Sequence, residues 1–396
     1  MAEKRSGPPP VVYFGIGCSV ISLALGLIIG ISALAENNGF SLNNQIAGYI
    51  IFHPDLMVFG VIGGLLITEK LELMEKFSIL GKARISRLIV SLLFPGVFIS
   101  SAGILVGMVL IQDLGLLLVT GASILFLYYM TSRRNPGLAY IKQVSGAAIL
   151  AMALAATANL NLFITESTEL AYMTLLFPVL YVLAERMELG YVRGMKTSLI
   201  RVQSILSWIL VIVAFMSVEI NIGTLPGILM LISITILIAL ILVSIYYDPT
   251  FRHLKKKSHL QSFMQKGIII SYLWLFLGLL LFILQVIRGH GFLDPAAHSI
   301  ALGFIGTFIV AHSPVIFPLT LKKKAVQENV TYLPIIVITV ANVMRIFGDL
   351  SLNVSWVSSA VSYASGYVIL LAIIAFVYNL RRIMSTGHPV HGVVNA

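Results

Sequence analysis

The feature that most restricts this chain is a succession of apolar runs, each about as long as a bilayer is thick. A hydrocarbon core of about 30 Å takes about 20 helical residues to cross. Runs of this kind lie near 11–35, 45–68, 86–111, 114–131, 141–163, 168–184, 198–218, 223–247, 267–287, 296–319, 331–348 and 358–380. Lipid gives a free backbone N–H or C=O no partner, so only helices or a closed barrel can span it. The runs lack the two-residue alternation of barrel strands. The expected fold is therefore all-α and polytopic, with about twelve transmembrane helices in one membrane domain over residues 1–396. Composition agrees. Only 11% of the 396 residues are charged and 58% are hydrophobic, whereas a soluble domain carries about 25% charged residues. The leading MAEKRSGPPP is followed by no small-residue cleavage site, so the first run reads as a retained helix.

The net charge of +10 would suggest a nucleic-acid partner in a soluble protein. Here its distribution decides otherwise. All but two of the 26 Lys and Arg fall at the N-terminus, after even-numbered runs, or at the C-terminus. The positive-inside rule then places both termini in the cytoplasm of a multi-pass cell-membrane protein. Lys255-Lys256-Lys257 and Lys322-Lys323-Lys324 become loops that face the anionic lipid of the bilayer. The two exceptions are Arg288 and Arg345. Cys18, the single cysteine, sits in an apolar run. That excludes a disulfide framework, an iron–sulfur cluster and a cysteine-rich zinc site within one chain.

A short repeat links two of the runs. Glu69-Lys70-Leu71-Glu72-Leu73 follows the second, and Glu185-Arg186-Met187-Glu188-Leu189 follows the sixth. Recurrence after four runs keeps the orientation and suggests three four-helix units, about 11–131, 141–247 and 267–380. His53 and Glu169 stand sixteen residues before Glu69 and Glu185 and would occupy equivalent places. The paired carboxylates Glu69/Glu72 and Glu185/Glu188 read either as ion pairs with neighbouring Lys and Arg or as a metal or proton site.

Ionisable groups at membrane depth are expensive and are functional candidates by default. His253, His259, His388 and His391 fall in a loop or the tail, leaving His53, His290, His298 and His312. His53 precedes Phe59-Gly60-Val61-Ile62-Gly63, and His298 precedes Gly303-Phe304-Ile305-Gly306. Both stand at the outer start of their runs. Small residues a turn or two below a histidine let a flat macrocycle approach the backbone. Two neutral imidazoles at one depth on facing helices are what a six-coordinate haem needs. Alternatively, each histidine caps its helix. His312 follows His298 by fourteen residues, about 40° off the same face and roughly 21 Å deeper on a regular helix. The matching position after His53 is Ile67, so a second bis-histidine haem is not expected. His312 reads instead as a hydrogen-bonded structural residue or a proton-relay group, near a carbonyl freed by Pro314.

Arg345 at the outer end of its run needs an anion. Haem propionates would supply two, and Asp349, one turn on, would supply another. Arg288 is a second candidate for the propionates. Asp55, Glu166 and Glu169 make the outer side acidic and could hold a cation, pass protons or face water.

Twelve runs, termini inside, and histidines at the outer ends of runs two and ten resemble the catalytic subunit of the haem–copper oxidases. The stretches His53-to-Gly63 and His298-to-Pro318 are more similar to its NnrS-type relatives, haem- and copper-containing membrane proteins linked to nitric oxide tolerance. The resemblance implies haem b ligated by His53 and His298, with Arg345 at the propionates. It also departs from the oxidases. Run six has no histidine for copper, run ten lacks a close His-x-His pair, and run seven ends without a His-His pair. An oxygen-reducing centre is therefore not expected, and copper has no visible ligand set. The reading is a b-type haem protein in electron transfer or diatomic-gas binding, with a redox partner protein. A cofactor-free secondary transporter is the alternative, and a membrane-anchor subunit that delivers electrons is a third.

Overall fold

The computed structural model describes residues 10–37, 50, 53–76, 83–131, 139–160, 167–192, 194–252, 258–321, 323, 329–351 and 356–385. Glu166, His253, His388, His391, both loop lysine runs except Lys323, and the N-terminal lead-in lie outside them. The described residues are almost wholly helical, and ten helices are long and apolar enough to cross a membrane. A shorter apolar helix covers Lys142–Ala158.

In chain order the long elements are α1 (Pro10–Asn37), α2 (a π-helical stretch Asp55–Gly63 continuing as Gly64–Lys76), α3 (Ala83–Leu105), α4 (Val109–Thr131), α5 (Ala139–Ala158) and α6 (Thr168–Val192). They continue as α7 (Thr197–Glu219), α8 (Leu225–Tyr247), α9 (His259–Arg288), α10, α11 (Leu333–Ser351) and α12 (Trp356–Ser385). α10 is composite. Leu293–His298 is α-helical, Ser299–Gly306 is π-helical, and Thr307–Thr320 is α-helical again.

α6 is the central helix, with 83% of its most apolar window buried. α7 and α8 show the opposite pattern, turning Ile205, Ile209, Ile212, Ile228, Ile232 and Leu242 outward. A surface of that kind is stable only against lipid or another apolar partner. Where helices meet, small residues set the distance. A Cβ on Gly103 would stand 2.2 Å from the backbone nitrogen of Gln112, and one on Gly115 would stand 2.2 Å from that of Ser100. α3 and α4 therefore touch backbone to backbone. Gly348 gives α11 the same approach to Ser362 of α12.

The turn between α3 and α4 corrects one sequence expectation. The apolar runs 86–111 and 114–131 are separated at Gln112-Asp113, but those residues are helical and the break falls at Val106-Gly107-Met108. Gly107 has φ of +70°, a conformation that glycine adopts without a Cβ clash. α9 also starts earlier than the apolar run does. Ser258 and Gln261 form a reciprocal capping box that ties off its first amides.

Candidate functional site

His53 opens α2 and His298 ends the first α-helical turn of α10. Both helices widen into a π-helical stretch just after the histidine. Such stretches are rare and gather at functional sites. The start of α10 is fixed by Gln285 of α9. Its amide oxygen accepts from the Phe292 N–H at 2.8 Å and its nitrogen donates to the Gly289 carbonyl at 3.3 Å. Gly289 and Gly291, with φ of +80° and +86°, make the intervening reversal possible.

The two imidazoles face each other. Their ring centroids are 6.4 Å apart and their planes differ by 26°. His53 Nδ1 lies 2.9 Å from the carbonyl oxygen of Gly26 in α1. His298 Nδ1 lies 3.0 Å from the Asp294 carbonyl and 3.1 Å from its carboxylate. A carbonyl only accepts, so each Nδ1 carries the hydrogen, and in the neutral ring Nε2 keeps the lone pair. Neither Nε2 takes a hydrogen bond among the described residues. The His53 ring rests on bare backbone, since a Cβ on Gly30 would stand 2.9 Å from its Cε1.

Both rings line a cavity of about 530 Å³ shared with α1, α11 and α12. That is within the usual size for a cofactor or ligand pocket, about 300–1,000 Å³. Gly30, Ile31, Arg345, Asp349, Ser362 and Gly366 complete much of its wall. Arg345 joins the acidic groups there. Its Nη2 donates to Asp294, and its Nε lies 2.9 Å from Asp349. Ser362 donates to the other Asp349 oxygen at 2.9 Å. The third nitrogen, Nη1, is buried and has no hydrogen-bond partner among the described residues.

Two imidazole nitrogens about 2 Å on either side of one iron require ring centroids about 6 Å apart. The observed centroid spacing of 6.4 Å is close to that value, and a backbone acceptor stands behind each Nδ1. A ligating histidine usually gives its other N–H to a carbonyl or carboxylate, which fixes the tautomer and aims the ring. No group of three or more metal-binding side chains occurs among the described residues.

The remaining candidates lie apart from this site. Arg288 and His290 are exposed and outside the cavity wall. Asp55 is buried and accepts from Ser100 at 3.4 Å. Glu169 is half-buried in the first turn of α6, also away from the cavity. His312 is buried with both nitrogens engaged. Nδ1 donates to the Phe308 carbonyl at 3.1 Å, and Nε2 accepts from Arg186 at 2.8 Å. The carbonyl of Val310, which Pro314 leaves without an amide partner, is taken by Ser313 Oγ at 2.8 Å. Arg186 in turn stands 3.6 Å from Asp248, which is fully buried. Of the carboxylate pairs, Lys70 meets Glu188 at 3.0 Å, an ion pair joining α2 to α6.

Sequence reasoning missed Asp294 as the bridge between His298 and Arg345. The available signal was its position four residues before His298, one helical turn away. It also missed Gly26 and Gly30, which only the packing of α1 against α2 brings to His53.

Comparison with the curated proteins gives no match. A family model described as a domain of unknown function (DUF8744) matches residues 17–382, nearly the whole chain and every helix of the cavity. The chain belongs to that family.

Proposed function

We propose that this protein is a membrane-embedded b-type haem protein that transfers electrons. Its twelve helices cross the bilayer, with the Lys/Arg-rich end in the cytoplasm and the two-histidine cavity toward the outer face. The observation that carries the reading is the facing pair His53 and His298, 6.4 Å apart, each with Nδ1 tied to a backbone carbonyl. His53 and His298 would hold the haem, and Arg345, with its Nη1 unpartnered among the described residues, would match the charge of the group's carboxylates. When bound, the haem supplies one-electron redox chemistry between ferric and ferrous iron. The chain's own part is to hold the two imidazoles at fixed tautomer and separation, to surround them with apolar wall, and to match charge at the rim. With both imidazoles committed, electron transfer is favoured over gas binding, which would need one histidine to leave. An outer-side redox protein would be the partner.

The test is the absorption spectrum of protein purified after expression with ample haem precursor. A Soret band with low-spin ferrous peaks is expected. A colourless, folded protein would overturn the reading and leave the cavity as the binding site of a transporter.

A further inference from the structure

At the Lys/Arg-rich end of the bundle a second, smaller cavity of about 50 Å³ lies between α1, α2, α6 and α10. Glu69 of α2 and Glu185 of α6 both line it. These are the first residues of the two matching acidic–basic–apolar–acidic–leucine motifs. The ion pair of Lys70 with Glu188 fastens the motifs together and brings their leading carboxylates to one space. Thr68 lies in the same wall, 2% exposed, and its hydroxyl has no partner among the described residues. The rest of the lining is largely apolar, including Ile16, Leu65, Ile309 and Phe317. A space of this size holds a few waters, at about 10–15 Å³ of probe volume each.

The nearby cations among the described residues are engaged by other carboxylates. Lys70 is matched by Glu188 at 3.0 Å, and Arg186 by Asp248 at 3.6 Å. His312 on α10 already carries its hydrogen on Nδ1 and accepts from Arg186 on Nε2, so it bounds the cavity and offers no base. The Tyr181 hydroxyl on α6 is committed to the Leu66 carbonyl at 3.2 Å. Glu69 and Glu185 thus share a mostly apolar cavity, while among the described residues Lys70 pairs with Glu188 and Arg186 with Asp248. Two carboxylates so placed do not both stay ionised.

We propose that Glu69 and Glu185 form a proton-binding site, holding one proton between them across cavity water at the Lys/Arg-rich end of the bundle. The Thr68 hydroxyl, donor and acceptor at once, completes the hydrogen-bonded ring. The site does not involve iron and stands whether or not the protein is coloured.

Infrared spectroscopy of the full-length protein in detergent tests it. At pH 7 a protonated-carboxyl stretch is expected that shifts in D2O, titrates away as pH rises, and is lost in both Glu69→Gln and Glu185→Gln. Glu36→Gln, at an exposed position near the other end, should keep it. If the glutamine variants do not fold, the wild-type titration decides: no protonated-carboxyl band at pH 7 overturns the proposal. A band unchanged in both folded variants overturns it equally.

Discussion

His298 and His312 lie on one helix, fourteen residues apart, and do different things. His298 faces a large cavity with its Nε2 uncommitted, opposite a second histidine. His312 is stacked on Phe308 at 4.1 Å, with Arg186 on one nitrogen and a carbonyl on the other. The difference is one of partners. A histidine can bind metal only where one nitrogen is free, and it is best aimed where the other is held; residue type and spacing cannot report that.

The sharpest way to break this comparison is to remove each ring in turn. His298→Ala should abolish the low-spin haem spectrum, as should His53→Ala. His312→Ala should keep the spectrum and lower stability by about 2–3 kcal/mol, from a lost stacked ring and an arginine left without its acceptor. Loss of the spectrum in His312→Ala, with the protein still folded, would show the division between the histidines to be false. Next comes Arg186→Leu. Asp248 is fully buried and would lose its guanidinium. Leaving a buried charge uncompensated costs about 3–5 kcal/mol, readable as a lower thermal midpoint with unaltered haem absorbance. Asp294→Asn should act more mildly and only on the two-histidine side. It removes the carboxylate behind His298 Nδ1 while the backbone carbonyl remains, so haem affinity should fall about tenfold, measured by haem transfer to an apoprotein acceptor. His290→Ala, at an exposed position outside the cavity, should change neither property.

Much of this architecture is written in the sequence because the bilayer leaves few choices. Apolar runs of spanning length forecast the ten long apolar helices, and Lys/Arg placement picks out one end of the bundle. The α3–α4 turn was misplaced because polarity at Gln112-Asp113 looked like a loop, while the actual reversal depends on the conformation of Gly107. The glycines below His53 and His298 read as room for a flat macrocycle. What they mark is a π-helical stretch in each helix, which no hydrophobic pattern reveals. Arg345 pairs with Asp349 one turn away, as its spacing allowed, and also with Asp294 from another helix, as its spacing could not show. The link from Arg186 to Asp248 and His312 joins three separate segments for the same reason.

The π-helical stretch in α10 has an effect beyond the site it borders. Hydrogen bonds that close one residue later lodge an extra residue in the winding. One residue is about 100° of rotation in an ordinary helix, so everything after Gly306 is turned by about that much relative to an unbroken α-helix. The about 40° offset expected between His298 and His312 is replaced by a larger swing, and the lower half of α10 addresses Arg186 of α6 while the upper half addresses His53 of α2. Deleting a single residue within Ser299–Gly306 would restore regular winding and point one of the two histidines at the wrong neighbour. The widened turn works as a phase shifter, letting one rod present two unrelated faces along its length.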